Sequence, residues 1–138
     1  KTLSPGMVGT EFEPTMVSWN DKDVMLYALG VGARPGKDLD FIYEGRGPKV
    51  LPTFAVIPGM RAMGSINKVV ELPIARMLHG EQAITLHRPL PPRAELTMSS
   101  RISEIWDKGK AGVIGVTADF SDAGGIIFST HSTLFWIG

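Results

Sequence analysis

Three groups of residues in this chain have types and spacings that chemistry could use. His79 and Glu81 stand two apart in "LHGEQ", a spacing that on a β-strand puts both side chains on one face. An imidazole held in one tautomer by a nearby carboxylate can act as a general acid or base. Two-apart His and Glu pairs also arise by chance, and Gly80 between them leaves the geometry open, so a satisfied structural pair is the preferred reading. Glu44, in "FIYEG", is an acid among apolar residues. Buried, it would need a partner or a raised pKa, as active-site acids have. Exposed, it would serve the surface or a cap, and that is where glutamate usually resides. The third group is the glycine pair of "YALGVGARPG", Gly30 and Gly32, with Gly36 beyond.

A dinucleotide turn requires Gly-x-Gly-x-x-Gly directly after a strand and opening a helix, so that backbone N–H groups meet the pyrophosphate. Here the third glycine comes one residue late, and Pro35 removes a donor. Val24, Tyr27, Ala28 and Val31 recur at i, i+3, i+4 and i+7, so a helix precedes the glycines. Gly30 and Gly32 are therefore assigned to its end. Ser18, with Asp21 three residues on, resembles a capping box at its start.

The elements that must position these residues are uneven in clarity. Residues 10–18 carry a modest strand signal. Prolines and glycines interrupt residues 34–58, where "DLDFIYEG" reads as a short strand or a turn of helix, and residues 59–78 have mixed helical character broken at Pro73. The second half alternates: Ile84 and Leu86; then Leu96, Met98, Ile102 and Trp106; then Ile114, Val116, Ala118 and Phe120; finally Ile126, Phe128, Leu134 and Trp136. Turns at 107–110 and 121–125 join the last three runs into an antiparallel meander. His87 and His131 read as hydrogen-bonded sheet residues. Met60, Met63, Met77 and Met98, with Phe54 and Ile57, are apolar side chains of the kind that line adaptable pockets and more often fill cores. Arg93, Lys108 and Lys110 lie near turns, where solvation is preferred to binding an anion.

Composition narrows the function classes. A chain of 138 residues builds one core, so 1–138 is expected to be a single domain. Its 14 basic and 14 acidic side chains cancel, whereas nucleic-acid and anionic-membrane partners call for a positive excess. No apolar run approaches the roughly 18 residues of a membrane span, and no signal-peptide pattern opens the chain. There is no cysteine, which excludes disulfides and thiolate chemistry, and the three histidines lack metal-ligand spacing. No metal is expected. The chain starts at Lys1 without a methionine and stops at Ile137-Gly138, which suggests a piece of something longer.

Six strings in order, "DVMLYALGVGA", "DLDFIYEG", "LPTFAVIPG", "LHGEQ", "HRPLPP" and "DKGKAGVI", resemble the amino-terminal half of the (R)-specific 2-enoyl-CoA hydratase part of peroxisomal multifunctional enzyme type 2 and related MaoC-like hydratases. The resemblance runs from about Asp21 to the end. It implies an α+β hot-dog fold, a curved antiparallel sheet wrapped around a long helix, forming one half of a double hot dog. The family's catalytic signature, Asp-x-Asn-Pro-x-His, belongs to the carboxy-terminal unit and is absent from this sequence. The implied role is that of a non-catalytic, acyl-pocket-forming half of an enzyme that adds water to trans-2-enoyl-CoA, with a bulky, branched or steroid side-chain acyl group. Its catalytic unit would lie in a downstream segment or a separate subunit, within an oligomer. Coenzyme A enters only as part of the substrate, with no further cofactor. The resemblance assigns no catalytic residue here. The expected substrate-binding or supporting residues are Tyr27, Glu44, Phe54, Met60, Met63, His79, Glu81 and Gln82. The expected compartment is the cytoplasm, the peroxisome being the alternative. Two other readings stay open: a stand-alone acyl-binding or assembly module, and a hot-dog thioesterase using Glu44 or Glu81 as its base.

Overall fold

Alternation in the second half of the chain becomes four long strands of one sheet in the computed structural model, which describes residues 3–137. Lys1, Thr2 and Gly138, the chain ends on which the reading of a longer protein turned, lie outside the described residues. The strands are β1 (Thr15–Trp19), β2 (Met77–Leu86), β3 (Ala94–Asp107), β4 (Ala111–Asp122) and β5 (Gly125–Ile137). They pair antiparallel in the order β1-β3-β4-β5-β2. Three helices precede the long strands: α1 (Asp21–Gly30), the single turn α2 (Leu39–Ile42) and α3 (Val56–Gly64).

The inner face of the sheet carries Leu96, Met98 and Ile102 of β3, Ile114, Val116, Ala118 and Phe120 of β4, and Phe128 and Leu134 of β5, all buried. Phe120 and Phe128 stack with ring centroids 4.3 Å apart. Trp106 breaks the expected pattern. The β3–β4 register shifts between Ile102 and Glu104, and the extra residue of this bulge turns every later side chain over. Ile105 takes the core side and Trp106 is left 56% exposed. At the other margin, β2 starts at Met77, well before the Ile84–Leu86 alternation.

Against the inner face lies a helical run formed by a 3₁₀ turn (Pro52–Ala55), α3 and a second 3₁₀ turn (Ser65–Lys68). It buries Phe54, Ala55, Pro58, Gly59, Ala62 and Ile66. A Cβ at Gly59 would come within 3.1 Å of Thr130 Cγ2, so the missing side chain lets the helix lie close to β5. The helical character expected over 59–78 thus begins earlier and ends at Lys68. The stretch "DLDFIYEG" is the turn of helix α2 followed by a 3₁₀ turn at Glu44–Arg46.

Helix α1 is capped by Asn20 and Asp23 in place of Ser18 and Asp21. Asn20 Oδ1 accepts from the Asp23 N–H at 3.1 Å, and Asp23 Oδ2 accepts from the Asn20 N–H at 2.9 Å. The cap moved because β1 runs through Trp19 and holds Ser18 in the sheet. Val24 and Ala28 are buried and Tyr27 packs partly against the core. Val31 is exposed, since the helix ends at Gly30 and Gly32, with φ +109°, turns the chain away.

Two arginines pin the connection from β2 to β3. Arg88 Nη2 donates to Asp122 Oδ1 at 2.7 Å and to the Gly125 carbonyl at 3.2 Å, and Arg93 Nη2 donates to Asp21 Oδ2 at 3.0 Å. The Arg93 hydrogen bond holds the Asp21 carboxyl below its ordinary value, and the bond from Arg88, with the Gly124 N–H, does the same for Asp122. A depressed native pKa stabilises the fold above the ordinary carboxylate range, and this is lost as pH falls through the native pKa. Arg93→Gln is therefore expected to lower the urea midpoint at neutral pH, with the gap to wild type closing progressively as pH falls below the unfolded carboxylate value of about 3.9. A gap independent of pH would remove the ion pair from the account.

Candidate functional site: an aromatic groove and an open strand edge

Helices α1 and α3 meet the end of β1 around a groove of about 490 Å³. Val17 and Trp19 come from β1, Leu26 and Tyr27 from α1, Phe54 from the 3₁₀ turn, and Ile57, Pro58 and Arg61 from α3. Phe54 is the hub. Its ring meets Trp19 edge-on at 5.3 Å and Tyr27 edge-on at 5.6 Å. Hydrogen bonds hold both partners: Trp19 Nε1 donates to the Pro91 carbonyl at 2.8 Å, and the Tyr27 hydroxyl to Thr53 Oγ1 at 2.7 Å. Of the lining carboxylates and phenols, Asp23 is engaged in the α1 cap and Tyr27 in its bond to Thr53. Such a groove suits an apolar chain and offers no base poised to activate water.

The second feature is β2, the last strand of the sheet. Among the described residues no strand pairs with its outer edge. It carries a bulge: the register with β5 shifts between His79 and Glu81, so His79 pairs with Leu134 and Glu81 with Thr133. Consecutive β5 residues point to opposite faces of a sheet. His79 and Glu81 are thus not the same-face pair that their spacing predicts. The cause is Gly80, the extra residue, where a Cβ would collide with the Phe135 ring. His79 Nε2 instead lies 3.0 Å from the Glu81 carbonyl oxygen, and Glu81 Oε2 accepts from Thr133 Oγ1 at 3.4 Å. Gln82 Oε1 accepts from the buried Ser132 hydroxyl at 2.8 Å.

The structure therefore brings Tyr27 and Phe54 into one groove, and sets His79, Glu81 and Gln82 along the open edge. Met63 packs against the core, while Met60 is 59% exposed. Glu44 is exposed on its 3₁₀ turn and does not line the aromatic groove. His131 and His87 are hydrogen-bonded in the sheet region, to Thr117 Oγ1 at 2.9 Å and Ser129 Oγ at 3.3 Å. Sequence reasoning named Ile57 only as pocket-type apolar surface and missed Trp19, Leu26 and Arg61 as lining residues. The i, i+4 spacing of Ile57 and Arg61 could have paired them on one helix face. Among the described residues no three His, Cys, Asp or Glu side chains converge as metal ligands, and no helix is long and apolar enough to cross a membrane.

A five-stranded antiparallel sheet in this order, laid on a helical run, defines the hot-dog class of domain. A MaoC-like dehydratase from Phytophthora capsici has the same fold, with a TM-score of 0.77 at 24% identity over 99% of this chain and 50% of that one. The family model of the MFE-2 hydratase 2 N-terminal domain matches residues 17–138, and the chain belongs to that family. It is 42% identical over 111 residues to 3-hydroxyacyl-thioester dehydratase Y of Mycobacterium tuberculosis, covering 78% of this chain and 38% of that protein. It is 40% identical over 126 residues to peroxisomal multifunctional enzyme type 2 of Mus musculus, covering 86% of this chain and 17% of that protein. The chain thus spans well under half the length of these relatives.

Proposed function

We propose that this chain is the non-catalytic, acyl-pocket-forming half of an (R)-specific enoyl-CoA hydratase. The observation that carries the reading is the aromatic groove of Trp19, Tyr27 and Phe54, which offers apolar walls without a free catalytic base. Hydration of an enoyl thioester needs a group to deprotonate water, a proton for C2 and donors to the enolate oxygen. The Asp-x-Asn-Pro-x-His string that serves the family is absent from this sequence. A second hot-dog unit, fused downstream or contributed by another subunit, supplies that chemistry in this reading. The open edge of β2 is where it would join, because unpaired strand amides and carbonyls are a template for a further strand. That the chain covers only a part of its named dehydratase and multifunctional relatives supports a larger assembly.

The substrate in this proposal is a trans-2-enoyl-CoA with a bulky, branched or steroid side-chain acyl group. Coenzyme A takes part as substrate alone, in the cytoplasm or, alternatively, the peroxisome. The thioesterase reading draws no support from an exposed Glu44 or from a Glu81 bonded to Thr133. Filling the groove tests the proposal. Ile57 is 47% exposed, so Ile57→Trp is expected to leave the fold intact and weaken binding of a branched acyl-pantetheine at least about tenfold, a 1.4 kcal/mol effect. Calorimetry is the readout in both the parent chain and the variant. Undiminished binding would place the acyl chain elsewhere.

A further inference from the structure

The outer face of the sheet is ordered in rows, because cross-strand partners on one face stand side by side. Register aligns Trp106 of β3 with Val113 of β4, Val113 with Phe135 of β5, and Phe135 with Leu78 of β2. These four make an apolar row across the sheet, at the far end of β3 from Ala94, the partner of Trp19. Its two ends, Trp106 and Leu78, are each 56% exposed. We propose that this row is the contact between two copies of this chain, packed outer face to outer face with the two-fold axis along the row.

Charge complementarity selects a second copy as the occupant and fixes the axis. One step below the apolar row, register sets Glu104, Gly115, Thr133 and Glu81 side by side, with a carboxylate at each end. One step above it, Ala111 pairs with Ile137. Lys108 extends that row on the β3 side, its N–H bonded to the Ala111 carbonyl at 2.8 Å. Arg76 extends it on the β2 side, lining one depression with Leu78 and Ile137. Cations thus flank the row above and anions the row below, and all four charged residues are exposed. Rotation about the apolar row lays the upper row of one copy on the lower row of the other. Lys108 then faces the partner's Glu104, and Arg76 the partner's Glu81, as an isologous contact requires. An axis along the strands would instead set Lys108 on the partner's Arg76 and Glu104 on the partner's Glu81. Among the described residues no salt bridge within the chain engages any of the four. Glu104 and Glu81 each accept a neutral bond at 3.4 Å, from Trp106 Nε1 and Thr133 Oγ1.

Size sets the strength of the contact. Strands lie about 4.8 Å apart and same-face residues about 6.8 Å apart along a strand, so three rows over four strands cover roughly 400 Å². A standard interface buries about 800 Å² on each partner, so a reversible dimer in the micromolar range is expected. Its anchor is Trp106, which meets the partner's Trp106 across the axis, and tryptophan is enriched among the residues that dominate interface energies. The exposed ion pairs add little affinity and set register and partner choice. The outer face and the open edge of β2 point in different directions, so this contact does not compete with a unit added to that edge.

Sedimentation velocity on the 138-residue chain, from about 1 to about 200 µM, brackets that affinity. The parent chain is expected to pass from monomer to dimer across the range. Trp106→Ala, at an exposed position, should weaken the dimer at least about tenfold. Lys108→Glu and Glu104→Lys, each alone, set like charges against each other on both sides of the axis and should stay monomeric. An equimolar mixture of these two variants restores both pairs and should dimerise as the parent does, which also shows that each variant is folded. A parent chain that stays monomeric, or a mixture that does, would overturn the contact. Dimerisation indifferent to all three substitutions would overturn it as well, and would assign self-association to the β2 edge. None of these outcomes bears on the acyl groove.

Discussion

Phe54→Ala is expected to lower the unfolding free energy by about 3–5 kcal/mol, the range for removing a buried aromatic ring. Phe54 is 1% exposed and stands edge-on to two other rings. The upper part of the range applies where a cavity cannot collapse. Trp19 is tied to the Pro91 carbonyl and Tyr27 to Thr53, so neither ring can swing in without losing a hydrogen bond. Domains of this size are stable by only about 5–15 kcal/mol, so the loss is a large share of the total. Urea denaturation would show a lower midpoint with an unchanged slope. A loss below about 1 kcal/mol, within the scatter of ordinary surface changes, would mean that Phe54 is not the hub of the groove. Phe54→Leu keeps most of the apolar volume. It should retain the fold while removing the edge-on support of Trp19 and Tyr27, so a loss of acyl-thioester binding without a loss of fold would separate the positioning role from the stability role.

The second large effect concerns turnover. The 138-residue chain is expected to hydrate trans-2-enoyl-CoA no faster than buffer. Supplied with a hot-dog unit carrying Asp-x-Asn-Pro-x-His, in the same polypeptide or as a partner, it should gain the roughly 10⁶-fold or more that separates enzymes from uncatalysed reactions. The reason is chemical: the Asp-x-Asn-Pro-x-His string is absent, and the one carboxylate lining the aromatic groove, Asp23, holds the α1 cap. Absorbance of the enoyl thioester follows the reaction directly. Substantial turnover by the chain alone, abolished by Glu44→Gln or Glu81→Gln, would sink the assignment of a non-catalytic half. Free thiol released from acyl-CoA would favour the thioesterase reading instead.

Much of the fold was legible because its signals are local. The alternation around Phe120 and Phe128 predicts strands that the structure contains, and the i, i+3, i+4 spacing of Val24, Tyr27 and Ala28 predicts α1, ended by glycines as expected. The misplacements have local causes that only pairing reveals. Trp106 matched the parity of Ile102, yet a bulge inserted between Ile102 and Glu104 turned it outward. Ser18 had the spacing of a cap, yet pairing with Glu95 kept it in β1 and passed the cap to Asn20.

By itself, the sequence determined the class of elements, the family, and the lack of the Asp-x-Asn-Pro-x-His string. These depend on residue identity and near-neighbour spacing, which one chain displays in full. The tertiary structure decided which residues share a site. Trp19 reaches Phe54, and Arg93 reaches Asp21 across 72 positions, through sheet register and helix packing that no local period encodes. It also divided His79 from Glu81, because Gly80 leaves no room for a side chain against Phe135 and the strand takes up the extra residue as a bulge. Register is set by the summed energy of many cross-strand contacts, so a single inserted residue can override a spacing rule that holds for an ideal strand.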